Sequence, residues 1–298
     1  MKHVILGAGP AGVIAAETLR KHAPNDDIVL VGDEDEAPYS RMAIPYLLIG
    51  KVGEEGTHLR HTPDHFDKLC IRVMRGRRAT ALDSAKRELT LDDGSTLGFD
   101  RLLIATGSSP ATPPIPGIDG PGVHPCWTLA DARAIMALAQ PGAKVLQMGA
   151  GFIGCIIMEA LAMRGVDLSV VEMGDRMVPR MMGPTAGGMI KDWVQAKGVK
   201  VHTSARVESI EHGAPGTRMK VKLSTGEVLE ADLLISATGV KPNIGFLEHS
   251  GVRCLVGVLT DEHLQTNVEG IYAAGDCAEA FDKVSGTTIV SAIQPNAA

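Results

Sequence analysis

Apolar residues along this chain fall into short runs joined by glycine-rich turns and then by segments of helical period. The run His3–Leu6 leads into Gly7-Ala8-Gly9-Pro10-Ala11-Gly12, an apolar helix to about Lys21, a second run Ile28–Val31, and the acids Asp33-Glu34. The order recurs: Lys144–Met148, then Gly149-Ala150-Gly151-Phe152-Ile153-Gly154, a helix to about Arg164, the run Leu168–Val171, and Glu172. Buried apolar strands alternating with helices predict parallel, doubly wound sheets. Two copies predict two α/β dinucleotide-binding domains of the Rossmann type, since solenoid repeats are much shorter. Glu88–Leu91 before Asp92-Asp93-Gly94, and Met219–Leu223 before Ser224-Thr225-Gly226, read as β-hairpins. Each predicts a small antiparallel β layer for its domain.

Between the copies, Pro110-Ala111-Thr112-Pro113-Pro114-Ile115-Pro116-Gly117 is too rich in proline for a helix or a central strand. A first domain crossing is expected there, and a second near Lys241-Pro242-Asn243, after the apolar run Leu233–Ser236.

Composition narrows the partners. A net charge of -6 without a basic tract argues against nucleic acid, because neutralising phosphates needs clustered Lys and Arg. No apolar run is long enough to span a bilayer. The chain enters a strand at once, with no secretory pattern, and its five scattered cysteines lack any C-x-x-C. A cytoplasmic setting with free thiols is expected. The 34 glycines are enough to serve ligand approach as well as turns.

In G-x-G-x-x-G, the first glycine makes the tight turn and the second lets backbone approach a pyrophosphate. The third lets helix pack on strand, while the helix N-terminus offers free N–H groups and positive dipole. An acid at the end of the following strand accepts from a ribose 2′-hydroxyl and repels a 2′-phosphate. Glu172 stands near that spacing, which favours NADH over NADPH, although Arg176 nearby could serve a phosphate. In the first copy, Asp33 and Glu34 are both candidates.

Three further segments complete an ordered set. They are Leu102-Leu103-Ile104-Ala105-Thr106-Gly107-Ser108, Leu234-Ile235-Ser236-Ala237-Thr238-Gly239 running on to Asn243, and Gly270-Ile271-Tyr272-Ala273-Ala274-Gly275-Asp276. With the two fingerprints, they make the chain resemble, over essentially its whole length, the pyridine nucleotide-disulfide oxidoreductase family. The resemblance implies a discontinuous FAD domain, 1–110 and 241–298, with an NAD(P) domain inserted at 111–240. It implies FAD contacts from Gly7, Gly9, Pro10, Ala11, Gly12, Asp33 or Glu34, Arg41, Ala79, Ala105, Thr106, Gly107, Gly275 and Asp276. Asp276 would serve the ribityl–pyrophosphate region. NADH would meet Gly149, Gly151, Phe152, Ile153, Gly154, Glu172, Ala237, Thr238 and Gly239.

Departures from the family pattern choose the subclass. Where disulfide reductases carry a redox cysteine, this chain has Met42, and a thioether cannot form a mixed disulfide. Pro38-Tyr39-Ser40-Arg41 is similar to the flavin-contacting segment of ferredoxin, rubredoxin and nitrite reductase-like flavoproteins, without their lysine near Tyr46 and Leu47. In the second fingerprint helix, Ile156 stands where a glutamate is common, with Glu159 one turn later. No catalytic side chain is therefore assigned. The expected activity is FAD-dependent NADH oxidation. Its acceptor would be other than a disulfide: a redox carrier protein, an attached reductase centre or oxygen. Two alternatives are a coenzyme A-disulfide or persulfide reductase using an atypical cysteine such as Cys277, and a non-catalytic redox sensor or scaffold. The resemblance also implies a homodimer, and a chain that stops within the helix closing the FAD domain, without the C-terminal interface domain.

The remaining features read as structural. His61 and His65 stand at i, i+4, but Thr62-Pro63-Asp64 reads as a helix start, leaving a solvated surface helix and no metal site. Arg72, Arg75, Arg77 and Arg78 read as a solvated face, and Met181 and Met182 as core or interdomain filler.

Overall fold

The computed structural model describes residues 1–214 and 216–290; the expected closing helix at 291–298 lies outside the described residues. Two units divide the chain. Met1–Ser40, His58–Ser109 and the residues from Lys241 onward form one, and Arg41–Thr57 with Pro110–Val240 form the other.

In the first unit, five parallel strands run in the order Ile271–Ala273, Arg101–Ile104, Lys2–Leu6, Asp27–Val31, Ile71–Met74. Their side chains alternate between two cores. Ile5, Ile28, Leu30 and Ile71 meet Val13 and Ala16 of the helix Pro10–His22. Val4, Leu6, Val29 and Val31 meet an antiparallel meander, Ala79–Asp83, Glu88–Leu91 and Thr96–Gly98. The expected turn is there: Gly94 has φ of 80°, and Asp93 accepts from the backbone and hydroxyl of Ser95.

The His65 segment departs from expectation. Its helix begins at His65 with Asp64 as the flanking residue, and the half-buried imidazole bonds Glu17 at 2.7 Å. Arg60 grips the same carboxylate through Nε and Nη2. Glu17 lies on the fingerprint helix, so this cluster ties that helix to the segment after His58. Burial alone would raise the Glu17 carboxyl, but bonds from Arg60 and His65 hold it below the usual range.

A smaller sheet, Val258–Thr260, Ala278–Asp282 and Thr287–Val290, is built around a buried carboxylate. Glu279 is 3% exposed, and accepts from the N–H groups of Val256 and Gly257 and from the Thr288 hydroxyl. Burial would raise its carboxyl, but the Gly257, Thr288 and Val256 bonds outweigh burial and leave it lowered. A carboxyl held low in the fold contributes stability above its unfolded pKa and loses it as pH falls through the folded value. Glu279→Gln is expected to cost about 1–3 kcal/mol near neutrality, with the gap to the parent protein narrowing in acid. Urea unfolding at several pH values measures this.

The second unit repeats the plan: Lys200–His202, Asp167–Val171, Lys144–Met148, Leu233–Ser236 and Val123–Pro125, all parallel. A meander, Val207–Glu211, Met219–Leu223 and Val228–Ala231, packs Val207, Ile210, Val221 and Leu223 on Leu146, Met148 and Leu234. The helix Leu129–Leu138 opens with a capping box between Thr128 and Asp131.

The expectation that residues 1–110 stay together is amended at Arg41–Thr57, which packs within the second unit. Ile44, Leu47 and Leu48 are buried, Arg164 donates to the Leu48 carbonyl, Arg133 pairs with Glu54, and the Arg41 guanidinium lies 5.1 Å over Trp127. Of the two places expected for Met181 and Met182, the core is corrected: at 61% and 39% exposure they fill no core of their unit. No helix among the described residues is long and apolar enough to cross a membrane.

Candidate functional site

The first fingerprint has a separate physical reason for each glycine. Gly7 has φ of 110°, and a Cβ there would sit 1.9 Å from the Ala105 carbonyl oxygen. A Cβ on Gly12 would sit 1.9 Å from the Gly7 oxygen, whereas one on Gly9 would meet nothing within 4 Å. The loop is thus closed by backbone at its ends and open at its middle. Gly9 flanks a helix with Pro10 in its first turn, no side-chain cap and no acid there. The N–H groups of Ala11 and Gly12 therefore open a 13-residue helix that has no side-chain cap and no acid in its own first turn.

The strand ends of the same unit carry the other candidates. The Ala105 N–H donates to the Leu6 oxygen. Thr106 and Asn243 exchange two bonds, Thr106 Oγ1 to the Asn243 carbonyl at 2.8 Å and Asn243 Nδ2 to the Thr106 carbonyl at 3.0 Å. Gly107 and Gly275 have φ of 64° and 76°. Asp276 follows in a 3-10 turn and accepts from the Ser108 hydroxyl at 3.0 Å. Tyr39 donates its hydroxyl to Glu34 at 2.7 Å, while Asp33 is exposed. Ala79 is buried beside a bulge that opens the meander. Arg41 belongs to the second unit.

There the second fingerprint repeats the geometry. Gly149 has φ of 99°, and its Cβ would lie 2.4 Å from the Ala237 oxygen; that of Gly154 would lie 2.6 Å from the Gly149 oxygen. Gly151 again opens onto nothing within 4 Å, before an uncapped helix, Phe152–Met163. Phe152 and Ile153 stand 53% and 38% exposed at its mouth. Large apolar side chains left there suit the face of a bound ligand better than water.

Glu172 accepts from the Ala150 N–H through one oxygen and from the Gly174 N–H through the other, both at 2.7 Å. Each oxygen keeps a lone pair, so the pinned carboxylate can still accept from vicinal hydroxyls. Arg176 is spent elsewhere, on the Met182 and Pro179 carbonyls and on Asp175. Its expected availability to a phosphate is not met. Thr238 donates to the Ala111 carbonyl, and Gly239 has φ of 117°.

Two residues that the motif pattern does not contain also hold this loop. Val178, buried and β-branched, has φ of 49° and donates its N–H to the Ala150 oxygen. That conformation is costly for such a side chain. Gln147 lies beneath the loop; a polar residue between the apolar Leu146 and Met148 was its one signal.

Burial makes three of the thiols poor nucleophiles. Cys277 is wholly buried, its Sγ bonding the Ile104 and Ala274 carbonyls, and burial pushes its pKa up. Burial and then Asp131 push Cys126 up to about 12; burial and then Glu172 raise Cys155. Met42 is 51% exposed. Among the described residues, no group of His, Cys, Asp and Glu could hold a metal ion.

Known proteins share this arrangement. A profile for pyridine nucleotide-disulphide oxidoreductases matches residues 1–294. The NADH-dependent phenylglyoxylate dehydrogenase subunit epsilon of Aromatoleum evansii is 35% identical over 296 residues, 99% of this chain and 69% of that protein. Among solved structures, an NAD-dependent persulfide reductase from A. fulgidus superposes with a TM-score of 0.93 at 32% identity, covering 100% of this chain and 57% of that one. A chain of the covalent putidaredoxin reductase–putidaredoxin complex gives 0.93 at 28% identity, covering 99% and 72%. This chain thus spans between about half and three quarters of the length of these proteins.

Proposed function

The chain belongs to the pyridine nucleotide-disulphide oxidoreductase family, and on that premise we propose that it binds FAD on its first unit and NADH on its second, passing electrons to an acceptor that is not a disulfide. The observation that carries this is the paired loops, each shut at its outer glycines and open at Gly9 or Gly151 before an uncapped helix.

The open middle of each loop leaves room for the close backbone approach a diphosphate requires, and the helix N–H groups would neutralise it. Glu34, oriented by Tyr39, takes the ribose of FAD, and Asp276, oriented by Ser108, takes its ribityl–pyrophosphate region. Glu172 takes the adenosine ribose of NADH; Phe152 and Ile153 give its ring system an apolar wall, and Ala237, Thr238 and Gly239 complete that site. Bound FAD supplies the chemistry: a flavin ring that accepts hydride from nicotinamide and releases electrons singly or in pairs. That chemistry needs stacking and closeness more than a protein acid or base, so these residues bind and orient. The acceptor is a carrier protein, as the putidaredoxin complex suggests for its own reductase, or a small molecule such as oxygen; the assembled protein is a cytoplasmic homodimer.

The likeness to a persulfide reductase favours a second reading, in which a thiol of this chain carries sulfur. Cys277 argues against it, being sealed from solvent with its thiol bonded to carbonyls. Anaerobic titration with NADH is expected to bleach the flavin absorbance, NADPH doing so only at far higher concentration. Cys277→Ser should leave bleaching and acceptor reduction within about twofold of the parent. Absence of bleaching by either nucleotide would refute the proposal, and loss of turnover in Cys277→Ser would favour the thiol reading.

A further inference from the structure

Gln147 occupies the strand Lys144–Met148 two residues before Gly149 and is fully buried. Its neighbours Leu146 and Met148 face the meander core, so by strand alternation Gln147 faces the helix Phe152–Met163. Its Nε2 donates to the Gly149 carbonyl at 2.8 Å and to the Gly154 carbonyl at 2.9 Å, while its Oε1 is buried with no partner among the described residues. Turning the amide over would place oxygen against two carbonyl oxygens, so the donors define its orientation.

The chain holds its own control for this position. The repeat that aligns Gly7 with Gly149 aligns Ile5 with Gln147. A Cβ on Gly12 would touch Ile5 Cγ2 at 3.3 Å, as one on Gly154 would touch Gln147 Nε2 at 2.9 Å. Ile5 is likewise fully buried. Hydrocarbon fills this place under one loop, and an amide fills it under the other. For stability alone, hydrocarbon is the better filler, because it leaves no buried acceptor unpaired. What the amide adds is a tether: it joins the first glycine of the loop to the third, so that the turn and the first helical turn hold one shape. The same loop is gripped at Ala150 by Glu172 and Val178.

We propose that Gln147 is a positioning residue that holds the Gly149–Gly154 loop in the shape that receives the NADH diphosphate, without touching the dinucleotide. This rests on the reading of the second unit as the NADH site.

Gln147→Met keeps length and removes both donors and the unpaired acceptor. Its NADH dissociation constant should rise about tenfold, with FAD affinity and thermal midpoint close to those of the parent. Gln147→Glu sets an ionised carboxylate against two carbonyls, and binding should be weak at high pH. As pH falls the introduced carboxyl takes up a proton and can donate it to one carbonyl, so NADH affinity should recover, whereas Gln147→Met shows no such recovery. Calorimetric titration of the whole protein with NADH reads all three. If the parent binds NADH and Gln147→Met binds it equally well, or Gln147→Glu follows the parent's pH profile, the inference fails alone. If the parent does not bind NADH, the reading of the second unit fails and takes the inference with it.

Discussion

Gly9→Ala should lose FAD and keep the fold, whereas Gly12→Ala should lose both. Gly9 lies at φ -79°, ψ -174°, extended backbone that alanine adopts freely, and its Cβ would enter open space. The folded chain therefore has nothing to object to beyond a weak cap preference, worth up to about 1 kcal/mol. A diphosphate drawn against the backbone would meet that methyl directly, and we expect FAD affinity to fall about a hundredfold, some 2.7 kcal/mol. At Gly12 the methyl would stand 1.9 Å from the Gly7 oxygen and 3.1 Å from its carbon. That carbonyl cannot withdraw easily, because the Gly7 N–H is bonded to the Val31 oxygen and φ at Gly7 is already 110°. The helix must lift from the sheet, at about 3 kcal/mol or more. Thermal melts followed by circular dichroism, with FAD affinity from flavin fluorescence, separate the two variants. Undiminished FAD affinity in a well-folded Gly9→Ala protein would show that the diphosphate does not lie on this loop. Gly151, at φ -71° and ψ -173° with the same open surroundings, offers the matching experiment for NADH.

Local pattern made much of this legible. A strand, a glycine turn and an amphipathic helix are consecutive in sequence, so the two parallel sheets and their meanders could be read before any contact was known. The acids were legible as types but not as geometries. Glu172 could be singled out, but not that two N–H groups pin it or that Arg176 is occupied by carbonyls of its own loop. Distance along the chain set the limit elsewhere. The segment Arg41–Thr57 joins the second unit through Arg133 and Arg164, side chains far downstream, and no property of the segment itself announces that. His65 looked solvated because its partner, Glu17, stands on a helix 48 positions earlier. Gln147 is the opposite case, a buried polar side chain between Leu146 and Met148; its anomaly was visible, and only the folded chain shows what it bonds.

Glu172→Gln should abolish discrimination between NADH and NADPH without reversing it. The carboxylate now accepts two backbone N–H bonds, and at the ribose position proposed for it, it would repel a 2′-phosphate. An amide of the same shape keeps one acceptor and turns its NH2 toward the other N–H, so the loop loses a charge-assisted bond worth about 1.5–3 kcal/mol. NADH affinity should therefore fall at least tenfold. NADPH is relieved of like-charge repulsion, which at 4 Å and an effective dielectric near 20 amounts to about 4 kcal/mol at most. The two effects bring the affinities together. Reversal needs a cation, and Arg176 cannot provide it while bonded to Met182, Pro179 and Asp175. Met173, adjacent to Glu172 and 75% exposed, is free to become one. Glu172→Ser with Met173→Arg should favour NADPH outright, as measured by dissociation constants for both nucleotides. Retention of NADH preference by Glu172→Gln would mean that the ribose is recognised elsewhere, and Glu172 would then serve only to brace the Ala150 turn.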